Sequence, residues 1–146
     1  MEIKNFKDLS KKESRDILKI RNHYKIRKYM YNNKKISYKE HKKFLKSLKK
    51  SKDSYFIIKT EGKIAGSFNI KNGYLGLYKN PNLRGFGKII LKTAINLAKE
   101  TGFKKVYLEV FRSNKKAISL YKKEGFRKIK KGWANGRRIL VFEKLQ

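Results

Sequence analysis

The segment between residues 54 and 101 limits the possible folds of this chain more than any other. It holds three strand-like segments, at 54–60, 63–70 and 74–79. Between the second and third lies Asn72-Gly73, a pair that suits a two-residue hairpin because both residues tolerate positive φ. A helical pattern follows at once and covers Gly85 to Thr101, with Gly102 as its stop. We therefore predict an antiparallel meander that leads directly into a long helix.

The remaining periodicities complete a mixed domain. Ser37 and Glu40 stand at the spacing of a capping box, which predicts a helix start there. The other predicted elements are strand 2–6, a helical segment at 11–24, a second one in "RNHYKIRKYM" (21–30), strand 104–111, helix 114–125 and two final strands at 126–133 and 137–145. Strand 104–111 is apolar on both alternations, which is typical of a central strand covered on both faces. We predict one mixed α+β domain over 1–146, in which strands 74–79 and 104–111 are parallel.

Composition narrows the class of protein. The chain has no cysteine, so disulfides and thiolate metal sites are excluded. No apolar run has the length of a signal peptide core or a membrane span, and we predict a soluble cytoplasmic protein. The net charge of +30 predicts attraction to polyanions. Most of this charge is scattered lysine, which also fits a solvated surface without a specific partner.

The sequence "NLRGFGK" at 82–88 joins the meander to the long helix. Free amides at a helix start attract anions, and glycines allow a phosphate to approach the backbone. The loop is therefore either a phosphate site or only a tight turn. A P-loop needs glycines five apart, and a dinucleotide fingerprint needs a third glycine where Ile90 stands. Both of these nucleotide motifs are disfavoured.

Two sequence blocks, 82–88 and 109–126, resemble motifs of the GNAT acyl-CoA-dependent N-acetyltransferases. Gly85 and Gly87 match the acyl-CoA loop, while Asn82 departs from its usual Gln or Arg. The second block, "EVFRSNKKAISLYKKEGF", resembles the family's Asn…Ala…Leu-Tyr…Gly-Phe segment. Further segments, "IRNHYKIRKYM", "SYKEHKKFLKSL" and "GLYKNPNLRGFGK", resemble the UDP-4-amino-sugar N-acetyltransferases of pseudaminic acid biosynthesis, the PseH family. The resemblance covers nearly the whole chain and implies the GNAT fold, a mixed and mostly antiparallel sheet of six to seven strands with helices on both faces.

The resemblance implies acetyl-CoA as co-substrate and places its binding residues. The amides from Arg84 to Lys88 would hold the pyrophosphate, and the backbone at the end of strand 74–79 would pair with the pantetheine arm. The side chain of Phe86 would pack or face solvent. The implied acetyl-CoA positions are Leu77, Tyr78, Lys79, Asn82, Arg84, Gly85, Phe86, Gly87, Lys88, Asn114 and Lys116.

The same resemblance implies direct attack of an amine on the thioester. Tyr121 matches the family's tyrosine and is the candidate acid; on its own it would be read as a core aromatic. Glu109 is the candidate base, with an outward ion pair as the alternative. His41 is a rival base or sugar ligand. The candidate acceptor-binding residues are Arg21, Asn22, His23 and His41.

The predicted function is acetyl transfer to the 4-amino group of a UDP-linked sugar, without a metal. The alternatives are a protein N-acetyltransferase, for example of a ribosomal protein, and a basic nucleic-acid-binding module. Partners are then small molecules, with a homodimer as an option and neither nucleic acid nor membrane expected.

Overall fold

The computed structural model describes residues 1–146 and consists of seven strands, five α-helices and one short 3-10 turn. The strands are β1 (Glu2–Asn5), β2 (Ser54–Thr60), β3 (Lys63–Lys71), β4 (Tyr74–Lys79), β5 (Lys105–Phe111), β6 (Arg127–Ala134) and β7 (Arg137–Leu145). The helices are α1 (Lys11–Arg21), α2 (Tyr24–Arg27), α3 (Tyr38–Leu48), α4 (Gly87–Glu100) and α5 (Lys115–Lys123). The 3-10 turn is Phe6–Asp8.

All seven strands form one sheet in the order β1-β2-β3-β4-β5-β7-β6. Every neighbouring pair is antiparallel except β4 and β5, which are parallel. Helix α4 makes the crossover between these two strands. The predicted fold class and the predicted parallel pair are therefore confirmed.

Two-residue turns set the register of the hairpins. Asn72 and Gly73 have φ of 51° and 82°, and Asn135 and Gly136 have 51° and 73°. Positive φ at both positions is the geometry of the type I′ turn, whose twist matches that of the strands it joins. The third hairpin uses Glu61-Gly62 in the same way, with φ of 51° and 76°. Glu61 carries a Cβ and is strained at positive φ, whereas Gly62 adopts positive φ without strain.

Helices cover both faces of the sheet, because adjacent strand residues point to opposite sides. Ile57 belongs to a five-residue cluster with residues of α1 and α3, whereas Ile58 belongs to a cluster of 17 buried residues. The larger cluster includes Ile90 and Leu91 of α4 and Tyr121 of α5. The two helix layers therefore lie on opposite faces and fix where the ends of β4 and β5 sit.

Several predicted boundaries were wrong, and three of them have a local reason. Helix α4 begins at Gly87 and not at Gly85, since Gly85 has φ of +84°. Helix α1 ends at Arg21, because the side chain of Asn22 is taken by the backbone of Ile36 at 2.8 Å. Strand β1 ends at Asn5, whose side chain caps the 3-10 turn that follows.

The prediction that β5 is covered on both faces was also wrong. Val106, Leu108 and Val110 are buried in the core. On the other face Phe111 is buried, but Tyr107 is half-buried and Glu109 is exposed. One face of β5 is therefore in the core, and on the other face Glu109 lines a cavity.

Glu13 is a buried carboxylate that joins α1 to two strands. Its oxygens accept from Lys4 Nζ at 2.6 Å, from Lys59 Nζ at 2.9 Å and from the Ser10 backbone N–H at 2.9 Å. The hydrogen bonds from Lys4 and Ser10 lower the pKa of Glu13 from 4.5 to about 2. Stability from this site is therefore present above pH 4.5 and is lost as the pH falls toward 2.

We expect Glu13→Gln to lower the free energy of unfolding by about 2–3 kcal/mol at neutral pH. The difference from wild type should shrink as the pH falls from 4.5 toward 2. Urea unfolding at several pH values measures this difference. Glu100→Gln is the control, since Glu100 is exposed at the end of α4. A destabilisation that does not depend on pH would contradict the assigned role of the carboxylate.

No helix of the chain has the length and apolar character needed to cross a membrane.

Candidate active site

The parallel strands β4 and β5 are joined only at one end. Their single register pair is Tyr74 with Tyr107, next to a hydrogen bond of 2.9 Å from the Tyr107 N–H to the Gly73 carbonyl. Beyond this pair the two strands make no further ladder. A cavity of about 890 Å³ lies between them, which is large enough for an extended ligand.

The cavity brings together residues that are far apart in the chain. Its wall is formed by α1, β4, β5, the start of α4 and α5, together with the segment after α2. The site residues predicted from sequence that line it are Arg21, Leu77, Tyr78, Lys79, Gly87, Glu109, Asn114, Lys116 and Tyr121.

The start of α4 presents a row of free amides. The N–H groups of Arg84, Gly85 and Phe86 form no hydrogen bond within the protein, and Phe86 offers no capping side chain. The first intrahelical bond of this end is from the Ile90 N–H to the Phe86 carbonyl, at 2.9 Å. The amides of Gly87 and Lys88 are therefore also without partners. Together with the helix dipole they form a site for a phosphate or pyrophosphate.

Asn80 fixes the loop that leads to these amides. Its Nδ2 donates to the Ile64 carbonyl at 3.0 Å, and its Oδ1 accepts from the Asn82 N–H at 2.9 Å. The side chains of Asn82, Arg84 and Lys88 are exposed and lie outside the cavity wall. The side chain of Phe86 was predicted either to pack or to face solvent, and it packs against the larger core cluster. Asn80 was not among the predicted site residues, although its position directly after β4 is typical of an Asx turn.

Tyr121 is buried but reaches the cavity. Only 7% of the residue is exposed, and its ring packs between Phe126 and Phe142 at centroid distances of 6.2 Å. Burial raises the pKa of Tyr121 to about 12. The hydroxyl therefore keeps its proton at neutral pH, and it can act as a proton donor to a group in the cavity.

Asn114 caps the start of α5, and it also lines the cavity. Its Oδ1 accepts from the Ala117 N–H at 3.4 Å, which is a long hydrogen bond. Its Nδ2 has no partner within the protein. Both predicted roles, helix cap and ligand contact, are thus compatible with its position.

Glu109 is held by a residue that sequence reasoning missed. The Tyr31 hydroxyl donates to Glu109 Oε1 at 2.7 Å, and the Tyr31 ring packs edge-on against Phe111 at 5.3 Å. Burial and the hydrogen bond to Glu109 raise the pKa of Tyr31. Glu109 forms no ion pair with a lysine, so the alternative of an outward salt bridge is not what the structure shows. Its second oxygen remains available toward the cavity.

Arg21 contributes an unsatisfied donor to the cavity wall. Its Nη2 donates to the Asn32 carbonyl at 3.1 Å, while its Nη1 is buried without a partner. Burial lowers the pKa of Arg21, and burial raises that of the neighbouring Tyr78 to about 12. A buried guanidinium N–H without a partner is costly.

Three predicted acceptor residues lie outside the cavity. His41 is 6% exposed, and its Nε2 is 3.1 Å from Ser14 Oγ between α3 and α1. Burial lowers the pKa of His41. His23 caps α2 by accepting from the Lys25 N–H at 3.1 Å, and Asn22 fixes the Ile36 backbone. These side chains shape the segment that covers the cavity, and they do not line it.

No cluster of three or more side chains suited to a metal ion is present. A splayed parallel pair, a helix start with free amides and a buried tyrosine on the following helix fit the acyl-CoA-dependent acyltransferases that the sequence resembles. The chain belongs to the acetyltransferase (GNAT) family, whose profile matches residues 17–126. The prediction of an acetyl-CoA-dependent N-acetyltransferase is therefore confirmed.

Individual members of this family are similar to the chain in sequence and in structure. Acetyltransferase PseH of Campylobacter jejuni is 36% identical over 135 residues, which are 86% of this chain and 84% of that protein. The crystal structure of Campylobacter jejuni N-acetyltransferase PseH in complex with acetyl coenzyme A superposes with a TM-score of 0.81 at 28% identity, covering 99% of this chain and 98% of the other. An N-alpha-acetyltransferase of Sulfurisphaera tokodaii is 30% identical over 107 residues, 60% of this chain and 64% of that protein. The predicted resemblance to the PseH family is confirmed.

We expect Gly85→Ala to raise the KM for acetyl-CoA about tenfold, because a Cβ at φ of +84° strains the amide row by about 1–3 kcal/mol. Gly62→Ala is the matched control: Gly62 has φ of +76° and, like Gly85, open space around its Cβ position. Steady-state kinetics and melting curves of both variants measure the effect. Equal KM values in the two variants would remove the amide row from acetyl-CoA binding.

Proposed function

We propose that this enzyme transfers the acetyl group of acetyl-CoA to the 4-amino group of a UDP-linked amino-deoxy sugar, in a pathway of the pseudaminic acid type. One observation carries the proposal: Glu109 and Tyr121 both reach the cavity between β4 and β5. The identity of 36% with acetyltransferase PseH supports the choice of acceptor.

The proposed reaction needs two proton transfers. The 4-amino nitrogen attacks the thioester carbonyl carbon, and the carbon–sulfur bond breaks. Glu109 accepts the proton that the nitrogen loses, directly or through water, and Tyr121 donates a proton to the leaving sulfur. The products are the N-acetyl sugar and CoA. Burial raises the pKa of Tyr121 to about 12, so its hydroxyl is protonated at neutral pH and has a proton to donate.

The two substrates are assigned to different parts of the cavity. The amides from Arg84 to Lys88 hold the pyrophosphate of the donor, and the end of β4 from Leu77 to Lys79 pairs with its pantetheine arm. Asn114 and Lys116 extend this donor site from α5. Arg21 also lines the cavity and is assigned to the acceptor.

A protein N-acetyltransferase is the second candidate. It is supported by the identity of 30% with the N-alpha-acetyltransferase of Sulfurisphaera tokodaii. The net charge of +30 weighs against a basic protein acceptor, since it would repel such a partner. The same charge favours substrates that carry a diphosphate.

A nucleic-acid-binding role is not supported by the aromatic side chains. The phenylalanines of β2 and β3 stack within the core, as Phe56 and Phe68 do at 5.0 Å. They do not form an exposed platform on which bases could stack.

We also retain the homodimer as a prediction, which light scattering in solution tests.

An acceptor panel tests the proposed function. The panel contains UDP-4-amino sugars of different stereochemistry, a basic peptide with a free N-terminus and spermidine, each with acetyl-CoA. Release of CoA thiol and mass spectrometry of the products measure the transfer. We expect kcat/KM for one UDP-4-amino sugar to exceed that for every other acceptor. Faster acetylation of the peptide would replace the proposal by the second candidate.

A further inference from the structure

A second, smaller cavity of about 390 Å³ lies next to the active-site cavity. It has no hydrophobic and no acidic residue in its wall, which is formed by Arg112, Ser113, Lys115, Arg137 and Arg138. Four cationic residues thus line the pocket at the point where β5 ends and β7 begins, and the guanidinium of Arg138 lies 4.8 Å from the centroid of the Trp133 ring. None of the four belongs to an ion pair. The positive charge of this pocket is therefore available to an anion.

Arg137 is fixed in this pocket and is not a freely moving surface side chain. Its Nη1 donates to the Lys28 carbonyl at 2.9 Å, and its Nη2 lies 3.5 Å from Ser113 Oγ. The guanidinium carbon is 3.8 Å from the centroid of the Phe111 ring. A stacked guanidinium loses little entropy on binding, and its planar fork matches the oxygens of a phosphate. The pocket is preorganised for a phosphate ligand.

The pocket adjoins the acceptor side of the active site. Phe111, on which Arg137 stacks, is two residues after Glu109 and on the same face of β5, so about 7 Å of strand separates them. Tyr31 contacts both residues, by its hydrogen bond of 2.7 Å to Glu109 and by its ring against Phe111. A single sugar ring can bridge this separation, with its amine at Glu109 and its anomeric phosphate at Arg137.

The free amides at the start of α4 already provide a separate site for the pyrophosphate of acetyl-CoA. A second phosphate site on the side of Glu109 is therefore not needed for the pyrophosphate of acetyl-CoA. We infer that this pocket, which we call the arginine pocket, binds the diphosphate of the nucleotide-linked acceptor. The inference rests on the proposed function, and it names the part of the acceptor that is recognised away from the reacting amine.

Arg137→Gln tests the arginine pocket. We expect the KM for the UDP-4-amino sugar to rise about 10- to 100-fold, as for the loss of a charge-assisted hydrogen bond. The KM for acetyl-CoA should stay within about twofold, and so should kcat/KM for the methyl glycoside of the same amino sugar, which lacks the diphosphate. The KM of Arg137→Lys for the UDP-4-amino sugar should lie between those of wild type and Arg137→Gln, because lysine keeps the charge but lacks the planar guanidinium. Arg127→Gln is the matched control, since Arg127 lies on β6 and faces Glu143 at 3.5 Å.

The 3′-phosphate of CoA is the other phosphate that could occupy the pocket. Acetyl-CoA and its 3′-dephospho analogue are therefore compared with wild type and Arg137→Gln. An Arg137→Gln defect that appears in the KM for acetyl-CoA and vanishes with the dephospho analogue would overturn the inference. Unchanged kinetics for all substrates would also overturn it.

Direct binding of UDP separates this inference from the proposed function. Calorimetry with UDP uses no turnover, and a melting curve shows that each variant is folded. If no UDP sugar is acetylated, the proposed function fails; binding of UDP that is weakened in Arg137→Gln and also in Arg138→Gln still supports a diphosphate site. Absence of UDP binding to wild type would overturn the pocket assignment.

Discussion

Tyr121→Phe is expected to lower kcat about 100- to 1,000-fold, because it removes the hydroxyl that protonates the leaving sulfur. The ring stays in place between Phe126 and Phe142, so neither the core nor the affinity for acetyl-CoA should change much. Rapid-quench measurement of the acetyl transfer step, together with a binding titration of acetyl-CoA, separates the two effects.

Tyr107→Phe is the matched control for this variant. Tyr107 stacks on Tyr74 at 5.0 Å on the neighbouring strand and does not line the cavity. We expect its kcat to stay close to wild type. If Tyr121→Phe retains the wild-type rate of the chemical step, Tyr121 is not the acid and another donor must protonate the thiolate.

The pKa of Tyr121, raised by burial to about 12, also makes a prediction about pH. A general acid stays active below its pKa, so Tyr121 should cause no decline of kcat until the pH approaches 12. Any decline at lower alkaline pH should be the same in wild type and in Tyr121→Phe. A decline below pH 10 that is present only in wild type would contradict the raised pKa of Tyr121, and not its role as the acid.

Glu109→Gln is expected to lower kcat/KM for the acceptor about 100- to 10,000-fold, the range for loss of a general base. The amide is isosteric and can still meet the Tyr31 hydroxyl, so the variant should remain folded. The acidic limb of the pH–rate profile, where a base loses activity by protonation, should disappear with the carboxylate.

Glu143→Gln is the control for a carboxylate on the same sheet. Glu143 pairs with Tyr107 across β5 and β7 and faces Arg127 at 3.5 Å, outside both cavities. Its profile should match wild type. If Glu109→Gln keeps the acidic limb, the base is another group or a water molecule, and Glu109 would instead hold Tyr31 in place.

The fold was predictable because the local signals in this sequence agree with one another. The two-residue turns at Asn72-Gly73 and Asn135-Gly136 fix their hairpins by backbone geometry alone, and Ser37 and Glu40 form the predicted capping box. The Gly85 boundary was misplaced because a helical hydrophobic pattern does not record where φ turns positive. That information lies in the backbone, and sequence shows only that a glycine is available.

The acceptor side of the site was less predictable, since it depends on contacts between residues far apart in the chain. Tyr31 and Glu109 are 78 positions apart, and Arg137 and Lys28 are 109 positions apart. No motif links these pairs. His41 drew attention by its residue type, but the capping of α3 turns it toward Ser14 and not toward the cavity. Long-range pairs of this kind follow from the packed sheet and not from any local pattern.

The single register pair between Tyr74 and Tyr107 has a consequence for cooperativity. The backbone ladder divides into a four-stranded unit, β1 to β4, and a three-stranded unit, β5 to β7, which the side chains of the larger core cluster and helix α4 join. Units that share few hydrogen bonds can open locally at a lower free energy than global unfolding. A ligand that contacts both units across the gap would raise the free energy needed to open either one. Hydrogen exchange should then slow on both sides of the gap, in β4 and in β5.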